Sequence, residues 1–135
     1  MSAETLRARI GGNWAQRADG WWLAIPLDQI RSVAPLMREG GARLAALVPR
    51  EIRPGALHLS WHWDFQGTLL SVETDCAQGD AVPSIVDIYP GADWAEREAR
   101  DYFAVTFAER ADTPPLMLRD GDTPGILLHS EGSCA

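Results

Sequence analysis

The segment Glu96-Arg97-Glu98-Ala99-Arg100-Asp101 concentrates the groups of this chain that could move a proton or grip a charge: three carboxylates and two guanidiniums in six residues. General acid–base work needs two carboxyl groups converging on one site with different environments. On a helix, Glu96 and Glu98 point about 200° apart, so they are not that pair. Glu98 and Asp101 share a face, but Arg97 and Arg100 lie close enough to neutralise them. The pairs four residues apart, Glu96 with Arg100 and Arg97 with Asp101, suit surface ion pairs worth about 0.2–0.5 kcal/mol each. Two readings follow: a solvated helix stapled by its own charges, or a helix whose charges have partners elsewhere.

Other chemistry-bearing residues are sparse. His58 and His62 have the spacing of a zinc-binding helix, but they fall on an expected strand, which sets them ~13 Å apart. They read as solvated or interface histidines. His129 and Cys134 stand in the tail without a second ligand pair. Cys76 and Cys134 are too few and too separate for a disulfide framework or an iron–sulfur set. The sequence contains neither a Gly-x-Gly-x-x-Gly run nor a phosphate-binding loop, the usual cradles for nucleotides. No catalytic, cofactor-binding or metal-ligating residue is therefore expected on this chain.

The elements that must position the charged segment can be read from spacing. Ser2 caps a helix to about Ile10, stopped by Gly11-Gly12. Trp14–Arg17 and Trp21–Pro26 flank the turn dipeptide Asp19-Gly20 as short strands. Leu27-Asp28 opens a second helix with Ile30, Val33, Ala34, Leu36 and Met37 at helical spacing, weakened by Pro35 and ended by Gly40-Gly41. Leu44–Val48 reads as a short buried strand, with a helical turn as the alternative. Leu57, Leu59, Trp61 and Trp63 alternate with His58, Ser60 and His62 as a half-buried strand requires, and Thr68–Asp75 returns as its partner after a turn at 64–67. Residues 76–83 are a loop. Ile85–Tyr89 is a last strand with Val86 and Ile88 on one face. Asp93 caps a helix over Trp94–Phe103, with Glu96 completing a capping box.

Hairpins outnumber alternating strand–helix units, so the expected fold is α+β: two layers, with helices on one face of a mixed, mainly antiparallel sheet. Residues 1–107 form one domain. From 108 to 135, Pro114-Pro115, Gly121, Pro124-Gly125 and Gly132 leave an extended C-terminal arm, with apolar patches at 116–118 and 126–128 that are costly to leave in water.

Composition narrows the function classes. Hydrophobic residues at 46% and charged residues at 23% fall in the globular range and exclude a disordered chain. The net charge is −7, and the cations, all arginines, are scattered from Arg7 to Arg119; this excludes a phosphate-backbone partner such as nucleic acid. No apolar run reaches the ~18–20 residues of a membrane span, and the first residues lack a signal segment, so a cytoplasmic protein is expected. Six tryptophans exceed core needs and suggest an interface.

Pro83-Ser84, Trp94, Glu96-Arg97-Glu98, Asp101 and Tyr102-Phe103 together resemble the conserved segment of the respiratory-chain 30 kDa subunit family, the C-type subunits of NADH:quinone oxidoreductase (complex I). The family pattern runs Glu-Arg-Glu, two residues, an acid, two apolar residues, six more, then His or Lys; after a further gap come Lys, Arg or Pro, and an apolar pair. Arg110 takes the His/Lys place, Pro114 fits, and Leu116-Met117 supply the pair without a gap. The specific match covers Pro83–Met117. Ala104 stands where the family usually has Gly, Glu109-Arg110-Ala111 where it has Gly-His-Pro, and Pro114-Pro115 where it has an arginine pair. The long tail of the complex I protein is missing, which makes the chain similar to the short form in membrane-bound [NiFe] hydrogenase complexes.

The resemblance implies an accessory subunit of the soluble arm of a complex I-like redox complex. Its expected partners are the large subunit homologous to the quinone-site or [NiFe] subunit and the small iron–sulfur subunit. Iron–sulfur clusters and NADH/quinone or [NiFe] are expected on those partners, and the chain would lie peripheral to the inner membrane. Trp94, Glu96, Arg97, Glu98, Asp101, Tyr102, Phe103, Arg110, Leu116 and Met117 are the motif residues expected at or near the interface. The rival readings are a stand-alone assembly or binding module and a small independent enzyme.

Overall fold

The computed structural model describes residues 1–129. Cys134 and the end of the expected arm lie outside the described residues. Ser2 caps α1 (Ala3–Ile10) by accepting the Thr5 N–H at 3.1 Å. The short strands β1 (Ala15–Arg17) and β2 (Gly20–Ala24) pair antiparallel across a two-residue turn at Ala18-Asp19, one residue earlier than the expected Asp19-Gly20, with Gly20 already paired to Arg17. Gly20 has φ +126°, and a Cβ there would sit 2.3 Å from the Leu69 carbonyl oxygen, so only glycine lets the chain approach its neighbour so closely. A 3₁₀ turn at Leu27–Gln29 leads into α2 (Ile30–Glu39). Its core face is Ile30, Val33, Ala34 and Met37, while Leu36 is only partly buried. Pro35 sits inside the helix without ending it.

Three long strands follow: β3 (Arg43–Arg53), β4 (Ala56–Phe65) and β5 (Thr68–Ala77). The expected strand at Leu44–Val48 is therefore more than twice as long, running through Pro49. The physical reason is position: β3 is an edge of the sheet, where a missing backbone donor faces no second ladder. The five-stranded sheet has the order β1-β2-β5-β4-β3, antiparallel except for the parallel β2/β5 pair. Leu57, Leu59, Trp61, Trp63 and Phe65 of β4 are buried, with Leu70 and Val72 of β5 beside them. The helices cover this face, giving the expected two-layer α+β fold. On the opposite face, His58, Ser60 and His62 stand beside Asp75, Glu73 and Ser71 of β5.

The stretch Ile85–Tyr89 is not a strand. The buried residues are Ile85 and Tyr89, four apart, and both Ile88 N–H and Tyr89 N–H donate to the Ile85 carbonyl. That is one helical turn. Period-two spacing of Val86 and Ile88 is a misleading signal because neither is the buried residue. The loop at 76–83 contains β6 (Ala81–Val82), which pairs in parallel with β7 (Thr106–Phe107) after α3 (Ala92–Phe103). Helix α3 begins two residues earlier than Trp94, and its N-cap is Gly91 with no side-chain cap. Asp93 and Glu96 therefore form no capping box. The preceding turn serves instead: Ala92 N–H donates to the Tyr89 carbonyl and Asp93 N–H to that of Pro90.

Candidate functional site: a charged helix and the arm across it

Helix α3 buries Ala92 and Ala99 against the core and turns Trp94, Arg97, Glu98 and Asp101 away from it. An isolated helix of this geometry would leave those outward side chains in water. Yet Asp101 is 0% exposed and Glu96, on the flank, is 1% exposed. Both are covered by their own chain.

Glu96 has three partners, two in the segment before α3 and one in the arm. Its Oε1 accepts the Ser84 hydroxyl at 2.6 Å and Arg110 Nη1 at 2.9 Å, and its Oε2 accepts the Ile85 N–H at 3.0 Å. Arg110, with only 11% of its side chain exposed, also binds Asp93, and Asp93 reaches Arg97 at 3.4 Å. Desolvation pushes the Asp93 carboxyl up, but the Arg110 and Arg97 guanidiniums outweigh it and hold it below its ordinary value. The two helical pairs suggested by spacing do not form. Glu96 takes Arg110 in place of Arg100, and Arg97 takes Asp93 in place of Asp101. Arg110 wins Glu96 because a buried, charge-assisted contact outweighs a few tenths of a kcal/mol of surface pairing, whereas Arg97 keeps a helical pair but with the acid four residues before it, which leaves Asp101 to the arm.

Asp101 has no arginine at all. Its Oδ2 accepts the backbone N–H groups of Leu116, Met117 and Leu118 at 2.8, 2.6 and 3.3 Å. Arg97 Nε and Nη2 donate to the carbonyls of Pro114 and Pro115 at 3.0 and 3.1 Å. Arg100 donates to the Thr113 hydroxyl at 2.7 Å. Further along, Gly125 N–H donates to the Asp101 carbonyl and Leu127 N–H to that of Tyr102. Tyr102 and Phe103 are partly buried, and Leu116 is half-buried. Trp94 (68% exposed) and Met117 stay in solvent, as do Ile126 and Leu127; Glu98 is exposed with them.

A cavity of about 400 Å³ opens between the C-terminal half of α3, β7 and the arm, with Val105, Phe107 and Pro124 on its walls. Arg97 and Arg110 also line it, but their donors are committed to Asp93, Glu96 and backbone carbonyls. Elsewhere, His58 Nδ1 lies 2.6 Å from Asp75, whereas His62 lies between Ser60 and Ser71 at 2.9 and 2.7 Å. The two histidines serve separate networks. Spacing alone does not single out Ser84, Asp93 and Thr113 as members of the charged cluster. Ser84 and Thr113 reach α3 across 12 and 13 residues and Asp93 reaches Arg110 across 17, contacts that no local periodicity encodes; only the Asp93–Arg97 contact has helical spacing.

Residues 23–126 match the family model of the respiratory-chain NADH dehydrogenase 30 kDa subunit, an interval that contains Ser84, Asp93, Glu96, Arg97, Asp101 and Arg110. The chain belongs to this family. Among curated relatives, the NADH-quinone oxidoreductase C-type subunit of Rhodopseudomonas palustris (strain BisB18) is 32% identical over 62 residues, covering 44% of this chain and 31% of the relative. Its Sinorhizobium medicae (strain WSM419) counterpart is 40% identical over 47 residues, covering 35% and 23%. That of Rhodobacter capsulatus is 29% identical over 89 residues, covering 61% and 45%. The chain thus spans less than half the length of each of these relatives. Among the described residues, no helix is long and apolar enough to cross a membrane. In this 30 kDa-type chain Glu96, Arg97, Asp101, Arg110 and the backbone of 114–118 form one connected structure, while Glu98 stands outside it.

Proposed function

We propose that the chain is a non-catalytic subunit of a complex I-like redox assembly, of NADH:quinone oxidoreductase or membrane-bound [NiFe] hydrogenase type. It docks on the large subunit that carries the quinone-site or [NiFe] homologue and braces it against the small iron–sulfur subunit. The iron–sulfur clusters and the NADH/quinone or [NiFe] centres reside on those partners, on the cytoplasmic side of the inner membrane. The observation that carries this reading is the unequal cover of α3. Its outward stripe is sealed by the arm at Asp101 and left bare at Trp94, with Met117, Ile126 and Leu127 exposed on the arm itself. A bare tryptophan supplies large, rigid contact area, the usual anchor of an interface. Since Glu96, Arg97, Asp101 and Arg110 are engaged within the chain, apolar area at Trp94 and the arm drives attachment, and Glu98 supplies the free charge.

Purification of the tagged chain from its native cells tests this. The large and iron–sulfur subunits should co-purify in stoichiometric amounts, and their composition identifies the type of complex. Trp94→Ser should lower that recovery several-fold with the thermal midpoint of the isolated chain unchanged. Recovery of a clean monomer, or turnover by the chain alone, would sink the proposal.

A further inference from the structure

Arg100 is the one arginine of the α3–arm cluster whose charge is left over. The ion pairs of the cluster run Arg97–Asp93, Arg110–Asp93 and Arg110–Glu96, and none among the described residues includes Arg100. Its Nη1 donates to the Thr113 hydroxyl at 2.7 Å, and Thr113 passes a hydrogen bond on to the Arg110 carbonyl. Nε and Nη2 take no acceptor among the described residues. Those two N–H groups lie side by side on one edge of the planar guanidinium, the fork that a carboxylate fills bidentately.

Arg100 lines the cavity of about 400 Å³ between α3, β7 and the arm, where Ala104, Val105, Phe107 and Pro124 make apolar walls and Thr123 adds a hydroxyl. Small-molecule pockets start at about 300 Å³ and combine such walls with a few placed polar groups. The arm that closes the space is fastened to α3 at three points. Thr113 binds Arg100, the amides of 116–118 bind Asp101 Oδ2, and Gly125 N–H binds the Asp101 carbonyl. At the last point a Cβ on Gly125 would lie 3.2 Å from that of Ala104, so the arm rests closely on the end of the helix. The cavity is therefore built into the fold, and an occupant does not have to open it.

A single guanidinium in an apolar cavity sorts ligands by charge. A cation is repelled, and a neutral apolar molecule takes the guanidinium donors from water without replacing the lost hydrogen bonds. A monocarboxylate with a short or flat apolar body satisfies both the fork and the walls. Polyanions and acidic protein surfaces meet the net charge of −7 and find no second cation, because Arg97 and Arg110 are committed to their own partners. We infer that this cavity is a binding site for a small organic monocarboxylate, with the carboxylate on the Nε–Nη2 edge of Arg100 and the apolar body against Val105, Phe107 and Pro124. The site is complete within one chain, so it stands or falls apart from the proposed subunit role.

Amide NMR titration of the full-length chain with benzoate, benzamide and benzylamine at fixed ionic strength tests the site. Benzoate should shift the amides of 105–107 and 123 along saturable curves, with an affinity about tenfold or more above that of benzamide, as a charge-assisted contact requires. Benzylamine should leave these amides in place. Arg100→Gln should erase the preference for benzoate, and Arg100→Lys, which keeps the charge without the fork, should retain only part of it. Ala111→Phe fills the cavity from an exposed lining residue and should block both aromatic probes while β4 and β5 amides keep their shifts. It also serves should the Arg100 variants loosen the arm through Thr113. Benzoate shifts that do not saturate, that fall on other arginines in place of 105–107 and 123, or that survive Ala111→Phe overturn the site. Equal affinity for benzoate and benzamide, or a preference that persists in Arg100→Gln, overturns the assigned ligand class.

Discussion

Glu96 and His62 show how differently a buried ionisable side chain can be settled in one small protein. The carboxyl group of Glu96 is held by three partners, Arg110, Ser84 and the Ile85 amide, whose hydrogen bonds together offset its loss of water. His62 is settled by neutrality. Burial pulls its imidazole below the ordinary value, against the attraction of Asp19 and Glu73, and the edge of Trp22 closes over it at 5.4 Å. A neutral ring can both donate and accept, which is what two flanking serine hydroxyls allow. In the unfolded chain a histidine titrates near 6.5. Below that value the unfolded state binds more protons than the folded one, so the stability is complete above about pH 6.5 and falls as pH drops towards the lowered folded value. Denaturant titrations at pH 7.5 and 5.5 should show a larger loss for the wild type than for His62→Gln, which costs about 1 kcal/mol at the higher pH through a lost hydrogen bond. His58 and His129 are present in both proteins, so equal losses would mean that His62 is not the group responsible.

At the scale of the element, strands with one wet face and one dry face are legible in the amino-acid order. Alternation from Leu57 to Trp63 places β4 and the sense of its buried face, and the turn at 64–67 places β5. The helical turn at Ile85–Tyr89 is not legible, because five residues with four apolar side chains around Asp87 fit either period, and the turn is fixed by Glu96 reaching back to the Ile85 amide. The partners of the charged helix are also hidden, since they lie in an arm whose prolines and glycines carry no periodicity. The end of α3 is half legible. Ala104 stands where the family usually has Gly, and the structure puts it in the left-handed region at φ +53° as the C-cap. A side chain there costs about 1–2 kcal/mol, partly returned by the lower entropy of the unfolded alanine chain. Ala104→Gly should therefore raise stability by about 0.5–1 kcal/mol, seen as a thermal midpoint roughly 1–4 °C higher. A lower midpoint would mean that the Ala104 methyl packs against the arm more strongly than the left-handed backbone is strained.

At the scale of the molecule, the relation of the domain to its arm can be decided by energy. If residues 1–107 were self-sufficient and everything from 108 only lay on top, truncation after Phe107 would leave the thermal midpoint where it was. The cluster around Glu96 argues otherwise. Truncation removes Arg110, leaving a carboxylate that is 1% exposed in the full chain beside a second one at Asp93. It also uncovers Asp101 by deleting the three amides bound to it. Removing one partner of a buried pair costs about 3–5 kcal/mol, a large share of the roughly 5–15 kcal/mol that holds a domain together. Arg110→Ala in the full chain makes the same orphan without exposing Asp101, so it should account for most of the truncation's loss. Glu96→Gln introduced into the truncated chain should recover part of it, because a neutral amide buried beside Ser84 and Ile85 needs no cation. A truncated chain as stable as the full one, or a Glu96→Gln change that lowers its midpoint further, would place the energetic boundary at Phe107. The expected order, full chain above Glu96→Gln truncation above plain truncation, places it beyond Arg110 and makes the first stretch of the arm part of the fold that the rest of the arm then extends.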